Sequence, residues 1–348
     1  MTMTVHRESG FTLLELLVTM AIFGIVLGGI LKVYDTNNYT YKVQEEVVTM
    51  HQNVRVAKMF LERDVRMAGC GMGAMFGFGG VTTYAVENNN NSGATGSDSL
   101  TVRYIDYEAG DCGTDPMGLS APCSDLPTLT LSGTMPADST VANLQEEIGF
   151  GPYSAWLNDC YCDGTTYTQP IPSFMALITS PDGSQSDLVI ITGAQDTGGL
   201  DNLSNGPNAV FQGVVYPNQI VNGYEDGSKI RFFNANQYTE VVYDLVNGVL
   251  RRNGDPIAED IDDFQIAFGL DTDSDGVVDG WINNVDLDDN TKLQVRLVRI
   301  NVLGHTASEH RGYKNLRPAI EDHPSAASND GFRRKLLQVT VQVRNLSL

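Results

Sequence analysis

The first 31 residues constrain what the chain can fold into more than any other segment. A polar leader, residues 1–10, ends in Gly10 and is followed by an apolar run over residues 11–31 that contains a single acid, Glu15. A helix of about 20 apolar residues, at a rise of about 1.5 Å each, crosses the hydrocarbon core of a bilayer. The sequence therefore predicts a membrane-spanning helix directly after the leader.

The position of the small residue distinguishes this segment from an ordinary secretory signal. In such a signal the small residues of the cleavage site follow the apolar core, whereas Gly10 precedes it here. Cleavage after Gly10 would keep the helix on the mature chain and create a cationic amino terminus at Phe11. Because an unpaired carboxylate in hydrocarbon is costly, we expect Glu15 to pair with the amine of Phe11, its own or a neighbour's. The alternative is an uncleaved anchor whose Glu15 reaches the membrane surface.

The residues GFTLLELLVTMAIFGIVLGGI resemble the class III signal of type IV prepilins. The resemblance implies cleavage between Gly10 and Phe11 by a prepilin peptidase, N-methylation of Phe11, and use of Glu15 to seat the subunit against its neighbour in a helical fibre. It also implies a single inner-membrane span, with the domain in the periplasm before the subunit enters a surface pilus.

The charge of the chain argues against nucleic acid as a partner. It carries 43 acids and 22 bases, a formal net charge of −21, which opposes unspecific binding to nucleic acid or anionic lipid. We expect no direct nucleic-acid contact. The tightest basic group, Arg333, Arg334 and Lys335, is typical of a solvated strand end.

An exported domain permits disulfides. The chain has five cysteines, Cys70, Cys112, Cys123, Cys160 and Cys162. We predict a Cys112–Cys123 disulfide, because these two bracket a loop with Gly and Pro. Cys160 and Cys162 are too close to bridge comfortably, so one of them would pair elsewhere, for example with Cys70. Since five is an odd number, at least one thiol stays unpaired in the monomer. The cysteines do not have the spacing of a zinc site or a haem-attachment motif.

The helix is predicted to continue past the apolar run. Over residues 43–68 apolar side chains recur at steps of three and four, and charged residues, Asp64 among them, are assigned to the other face. We therefore predict one helix over residues 12–68, about 85 Å long. Its polymerisation half is residues 11–31 and its amphipathic half residues 32–68.

Residues 69–348 are predicted to form a β-rich globular domain, in which residues 69–80 are a flexible connector and residues 87–99 a polar loop or linker. Runs rich in β-branched and aromatic residues predict ten strands, at residues 100–105, 126–131, 187–192, 209–215, 229–233, 238–246, 249–252, 261–270, 292–303 and 335–344. A long helix followed by an antiparallel sheet gives an α+β fold with the helix packed on the sheet, and the prepilin resemblance implies that this fold is pilin-like.

Four acids in the spacing D-x-D-x-D-G-x-x-D follow one predicted strand: Asp271, Asp273, Asp275 and Asp279. Ca²⁺ prefers oxygen ligands crowded into such a loop, with Gly for the sharp turn. We predict a structural Ca²⁺ site at residues 271–279, with the Val277 carbonyl as a further ligand and no organic cofactor. The twelfth loop position is Ile282, so the shell needs another acid, with Asp286, Asp288 and Asp289 as candidates. The alternative is a solvated acidic turn.

One segment gathers residues that resemble a catalytic cluster, His305, Glu309, His310 and His323. The spacing H-x3-E-H matches no hydrolase signature. We therefore predict a polar surface loop and a protein that is not an enzyme.

The carboxyl-terminal part carries a second resemblance. IDDFQIAFGLDTDSDGVVDGWI, LQVRLVRINVLGHT and RRKLLQVTVQVRNLSL resemble the closing part of PilW-type minor pilins. The resemblance implies a minor pilin that joins other minor pilins and the major pilin at an inner-membrane assembly platform and primes polymerisation as a tip complex. Two alternatives stay open, a J-type minor pseudopilin of type II secretion and a pilus-tip adhesin.

Overall fold

The computed structural model covers residues 12–93, 95–106, 128–145, 174–196, 201–211, 214–234, 237–283, 291 and 293–343. Several predictions concern residues outside these ranges, and they stay predictions. They are the cleavage site at Gly10 and Phe11, the cysteines Cys112, Cys123, Cys160 and Cys162, and the acids Asp286, Asp288 and Asp289.

A single long helix, α1 (Leu13–Met67), precedes the described strands. Thr12 caps its start and Ala68 its end, so α1 has the extent that the apolar periodicity predicts. Every residue over 12–42 is exposed. By length and composition alone, α1 could cross a membrane near the amino terminus.

The described residues after α1 contain twenty strands. They are β1 (Met75–Phe78), β2 (Val81–Tyr84), β3 (Val86–Asn89), β4 (Ser99–Ile105), β5 (Thr128–Thr130), β6 (Val141–Asn143), β7 (Phe174–Thr179), β8 (Ser186–Ile190), β9 (Gly193–Asp196), β10 (Asp201–Ser204), β11 (Ala209–Phe211), β12 (Val214–Tyr216), β13 (Lys229–Asn234), β14 (Tyr238–Val246), β15 (Val249–Arg252), β16 (Asp255–Ala258), β17 (Ile261–Leu270), β18 (Gly280–Ile282), β19 (Val295–His305) and β20 (Arg334–Gln342).

These strands pair into sheets in the orders β2-β1-β8-β7-β13-β5, β6-β10-β9, β11-β12, β16-β15-β14-β4-β3 and β18-β17-β19-β20. The described ladders are antiparallel, apart from the parallel contact of β1 with β8. One long helix followed by a domain of mainly antiparallel sheets confirms the predicted α+β class.

The amphipathic half of α1 packs on β19 and β20 and reaches β16 and β4. Val54, Ala57 and Leu61 are buried in one core cluster with side chains from these sheets. The buried face follows the steps of three and four that the sequence predicts. Gly304 on β19 permits the close approach, since a Cβ there would lie 2.4 Å from Val54 Cγ2.

We expect Gly304→Ala to lower the free energy of unfolding by about 1–3 kcal/mol, because α1 must move away from β19 or Val54 must leave its rotamer. Gly223→Ala is the matched control, since the atoms nearest to the new Cβ there lie at an ordinary 3.8 Å. Urea unfolding of the full chain in detergent measures both variants. Equal stabilities would contradict the close packing of α1 on β19.

Two predictions of local structure are wrong. Residues 69–80 are not a flexible connector, since they contain β1, and its Phe76 and Phe78 are buried in a core cluster. Residues 209–215 form the hairpin β11-β12 rather than one strand, because a pair of residues that includes a glycine, 212–213, separates two short runs. Sequence patterns also did not predict β1, β2, β3, β6, β7, β9, β10, β16 and β18.

The residues 87–99, predicted as a polar loop or linker, begin within β3 and end within β4, so they are a loop between two strands of one sheet rather than a linker. Asp98, near the end of this loop, is 1% exposed. The two carboxylate oxygens of Asp98 accept hydrogen bonds from the backbone N–H groups of Asn91 and Ile266, at 2.9 and 2.7 Å. Burial raises the pKa of Asp98 to about 7. The carboxyl group therefore fixes this segment to β17.

Candidate functional site

The start of α1 places Glu15 in a capping box with Thr12. Glu15 Oε2 accepts hydrogen bonds from Thr12 N at 2.9 Å and Thr12 Oγ1 at 3.0 Å, and Glu15 N donates to Thr12 Oγ1 at 3.3 Å. The pattern Thr-x-x-Glu satisfies two backbone donors that the first turn leaves open. This use of Glu15 was missed in the sequence, although the signature is local and visible there.

The apolar half of α1, residues 13–31, presents a continuous exposed apolar surface. Leu13, Ile25 and Ile30, spread along this half, are 78%, 77% and 59% exposed. Apolar surface of this extent marks contact with lipid or with other helices. The surface leads directly to Glu15, which is also exposed.

Asp64 ties the other end of α1 to the domain. Its carboxylate is buried and accepts hydrogen bonds from Tyr243 Oη and Arg252 Nε, both at 2.7 Å. Burial first, and then the hydrogen bond to Asp64, raise the pKa of Tyr243 above its ordinary range. The assignment of Asp64 to the solvated face is therefore wrong, because Asp64 lies three residues after buried Leu61 on the same face.

A second attachment lies near the middle of α1. Glu46 accepts hydrogen bonds from Ser308 Oγ at 2.7 Å and Ser308 N at 3.2 Å, and His310 Nε2 lies 3.1 Å from its carboxylate. Arg333 Nε donates to His310 Nδ1 at 3.2 Å, which leaves the imidazole proton on Nε2 facing Glu46. Tyr39 Oη also donates to the Arg311 carbonyl at 3.3 Å. The segment between β19 and β20, residues 306–333, thus attaches the middle of α1 to the domain and is called the clasping segment.

The histidines of this segment do not converge on one site. His310 contacts Glu46, whereas His323 Nδ1 lies 2.8 Å from Asp263 Oδ2 and His305 Nδ1 lies 2.8 Å from the Thr306 carbonyl. His310 and His323 are buried, at 5% and 8% exposure. The prediction of a polar surface loop is wrong for these two side chains, which are buried and hold the segment in place.

Of the three basic residues where β20 begins, Arg333 and Arg334 are not the solvated strand end that the sequence predicts. Arg334 has a side chain that is 6% exposed, pairs with Asp330, and donates from Nε to Asp262 Oδ2 at 2.5 Å. Arg333 lies over the ring of Tyr313 at 4.3 Å. Intramolecular contacts therefore engage both guanidinium groups, and only Lys335 of the three is exposed.

The acidic residues 271–279 connect β17 to β18. One carboxylate oxygen from each of Asp271, Asp273 and Asp275 lies within 4.8 Å of the others. Asp271 is buried, whereas Asp273 and Asp275 are exposed. Gly276 makes the turn with φ +87°, and its N–H donates to Asp271 Oδ2 at 3.1 Å. The spacing thus gathers three of the four predicted acids.

Asp279, the fourth acid, has a different part in the loop. Its Oδ2 accepts hydrogen bonds from Thr272 Oγ1 at 2.6 Å and Thr272 N at 2.8 Å. These bonds lower the pKa of Asp279. Asp279 N donates to the Leu270 carbonyl at 2.8 Å, so Asp279 closes the loop where β17 ends.

Cys70 lies just after α1 and forms no disulfide within the part of the chain that the structure describes. Burial, and then the nearby Asp106 carboxylate, raise the pKa of its thiol. A raised thiol pKa disfavours the reactive thiolate. Its predicted pairing with Cys160 or Cys162 lies outside the described residues.

Comparisons with known proteins find matches at both ends of the chain. A family model described as type IV pilus-assembly protein W matches residues 248–345, and one described as a prokaryotic N-terminal methylation motif matches residues 5–31. The first match contains β17, the acidic loop, β19 and the clasping segment; the second contains Gly10, Phe11 and Glu15. Both families are structural pilin components rather than enzymes.

Among solved structures, a type IV-like pilin from Thermus thermophilus aligns over 86% of this chain and 97% of that chain. The sequence identity is 11% and the TM-score 0.35, a similarity too low to carry an argument. No curated protein matches the chain in sequence. The family matches at the two ends of the chain, over residues 5–31 and 248–345, support a type IV prepilin-like protein of the PilW type.

Proposed function

We propose that this protein is a minor pilin that enters a tip or priming complex of a type IV pilus and starts polymerisation of the major pilin. The observation that carries the proposal is the exposed apolar half of α1, joined to a methylation motif at residues 5–31. Such a surface is stable only in lipid or against other apolar helices. A fibre core of bundled pilin helices provides the second environment.

The first step is processing at the inner membrane. Prepilin peptidase cleaves between Gly10 and Phe11 and methylates the new amino terminus. α1 then holds the subunit as a single span, with the β-rich domain in the periplasm. In the assembling complex Glu15 exchanges its bonds to Thr12 for the cationic amine of a neighbouring Phe11, because a charge in an apolar surrounding is stable only when it is paired.

The attachments of α1 to the domain suit this function. Asp64 attaches the carboxyl-terminal end of α1 to the domain, and Glu46 attaches a point nearer the middle of the helix. The domain must therefore move with α1 when α1 leaves the membrane. A domain hinged on a loose linker would not keep a fixed position in a fibre. The two attachments therefore support a subunit that is built into an ordered assembly.

The size of the chain favours the tip over the shaft. A subunit of 348 residues with long loops would obstruct the next subunit in a repeating shaft. At the tip no further subunit stacks above it. Its partners would be other minor pilins, the major pilin and the inner-membrane assembly platform, and the net charge of −21 gives no support for a nucleic-acid partner.

Deletion of the gene, with complementation by the wild-type chain, tests this function. We expect loss of surface pili in electron micrographs and loss of twitching, both restored by complementation. Normal pili combined with failure to release exoproteins would replace the proposal with a type II secretion pseudopilin. Normal pili that no longer attach cells to surfaces would replace it with an adhesin at the tip.

A further inference from the structure

The acidic loop between β17 and β18 has a property that a solvated turn lacks. The Asp271 side chain is only 2% exposed, and its Oδ1 atom is buried without a hydrogen-bond partner among the residues described. A buried carboxylate oxygen without a partner is costly. Its other oxygen, Oδ2, accepts from Gly276 N and lies 3.4 Å from Arg296 Nε.

We propose that residues 271–279 bind one Ca²⁺ ion, with carboxylate oxygens of Asp271, Asp273 and Asp275 as its first ligands. Ca²⁺–oxygen bonds are about 2.3–2.6 Å, so two oxygens on one ion lie at most about 5 Å apart. The three carboxylates already supply oxygens within 4.8 Å of one another. An ion bound by Asp271 Oδ1 would satisfy this atom, which lacks a hydrogen-bond partner among the described residues.

The rest of the loop is already folded around this position. Asp279 accepts hydrogen bonds from Thr272 and closes the loop, so it would add negative charge near the ion without binding it directly. The Val277 carbonyl is the next proposed ligand along the chain. Water would complete the shell, since Asp273 and Asp275 are exposed. This mixed set of carboxylates, a carbonyl and water suits Ca²⁺, which accepts six to eight ligands in flexible geometry, better than Mg²⁺, which demands a near-ideal octahedron.

Arg296 provides the electrostatic argument for a weak rather than a tight site. Its Nε lies near Asp271 Oδ2, so the guanidinium partly compensates the charge that would attract the ion. Removal of this positive charge strengthens the attraction of the loop for a cation. A variant of Arg296 should therefore bind Ca²⁺ more tightly than the wild-type chain.

Calorimetric titration of the full chain in detergent, stripped of metal, tests the site with Ca²⁺ and Mg²⁺ in parallel. We expect one Ca²⁺ per chain, a melting temperature that rises with Ca²⁺ and falls with chelator, and weaker binding of Mg²⁺. Asp273→Asn with Asp275→Asn should weaken Ca²⁺ binding by about tenfold or more, since affinity follows the number of charged ligands. Arg296→Gln should tighten binding several-fold.

Asp182→Asn is the matched control. Asp182 lies in another exposed turn, where its Oδ1 accepts hydrogen bonds from the Ser180 and Ser184 hydroxyls at 2.6 and 2.8 Å. Its Ca²⁺ affinity should equal that of the wild-type chain. Absence of a Ca²⁺ response at millimolar concentration, equal affinity for Mg²⁺, or unchanged affinity in the Asp273 and Asp275 variant would each overturn the proposal. Melting in chelator shows that the variant is folded, and the opposite effect of Arg296→Gln cannot arise from misfolding.

Discussion

Glu15→Gln should strongly reduce incorporation of the subunit into fibres while leaving the start of α1 intact. Glutamine serves as well as glutamate in a capping box, so the variant keeps a side-chain acceptor for Thr12 N, which is 2.9 Å from Glu15 Oε2. It loses the negative charge, and a neutral side chain does not pair with the amine of a neighbouring Phe11. We expect the amount of subunit in sheared pili to fall by about tenfold or more, because an unpaired charge in apolar surroundings is disfavoured.

Thr12→Ala is the control for this prediction. It removes the hydroxyl that caps the first turn but keeps the charge of Glu15, so we expect incorporation close to that of the wild-type chain. Immunoblots compare sheared pili with the membrane pool, and mass spectrometry tests whether each mature chain begins at N-methylated Phe11, as proposed. If Glu15→Gln entered pili normally while Thr12→Ala did not, Glu15 would act as a capping residue and charge pairing would be refuted.

Asp64→Ala should lower the free energy of unfolding by about 3 kcal/mol or more, because it removes the partner of a buried ion pair. The change leaves the Tyr243 hydroxyl without its acceptor and Arg252 without its carboxylate. Urea unfolding of the full chain in detergent, followed by the near-ultraviolet circular dichroism of the tyrosines, measures the loss.

Glu62→Ala is the matched control on the same turn of α1. The Glu62 side chain is 26% exposed and pairs with Lys58 and Arg66, and such surface pairs contribute about 0–1 kcal/mol. A double variant, Asp64→Ala with Arg252→Ala, should lose less than the sum of its single changes, since both remove one interaction. If Asp64→Ala cost no more than Glu62→Ala, the buried pair would not be what holds α1 to the domain.

The features predicted from sequence are those fixed by neighbours along the chain. β14, β15 and β17 begin and end at the predicted residues. The hairpin between β14 and β15 turns at Asn247 and Gly248, whose φ values of +52° and +76° are those that this residue pair adopts readily. The helix could also be predicted from the sequence, because its apolar period is repeated over many turns.

The features that were missed depend on partners distant in sequence. β3 contains Glu87, Asn88 and Asn89, which have low strand propensity, and it is a strand because it pairs with β4. Asp64 lies on the apolar face of α1, three residues after Leu61, but its partners Tyr243 and Arg252 lie 179 and 188 residues away, so no local pattern predicts the hydrogen bonds that accompany its burial. In the acidic loop the spacing predicted the cluster, but the binding of Asp279 to Thr272 depends on how the loop closes.

The contacts of Glu46 with Ser308 and His310 determine how the subunit would bear tension along α1. A pull on the amino-terminal end of α1 reaches the hydrogen bonds at Ser308 and His310 before it reaches the covalent connection at Gly69. These hydrogen bonds then carry the tension together with the packing of Val54 against Gly304. In the proposed fibre the domain would thereby be held along its flank, and the backbone after α1 would carry less of the force.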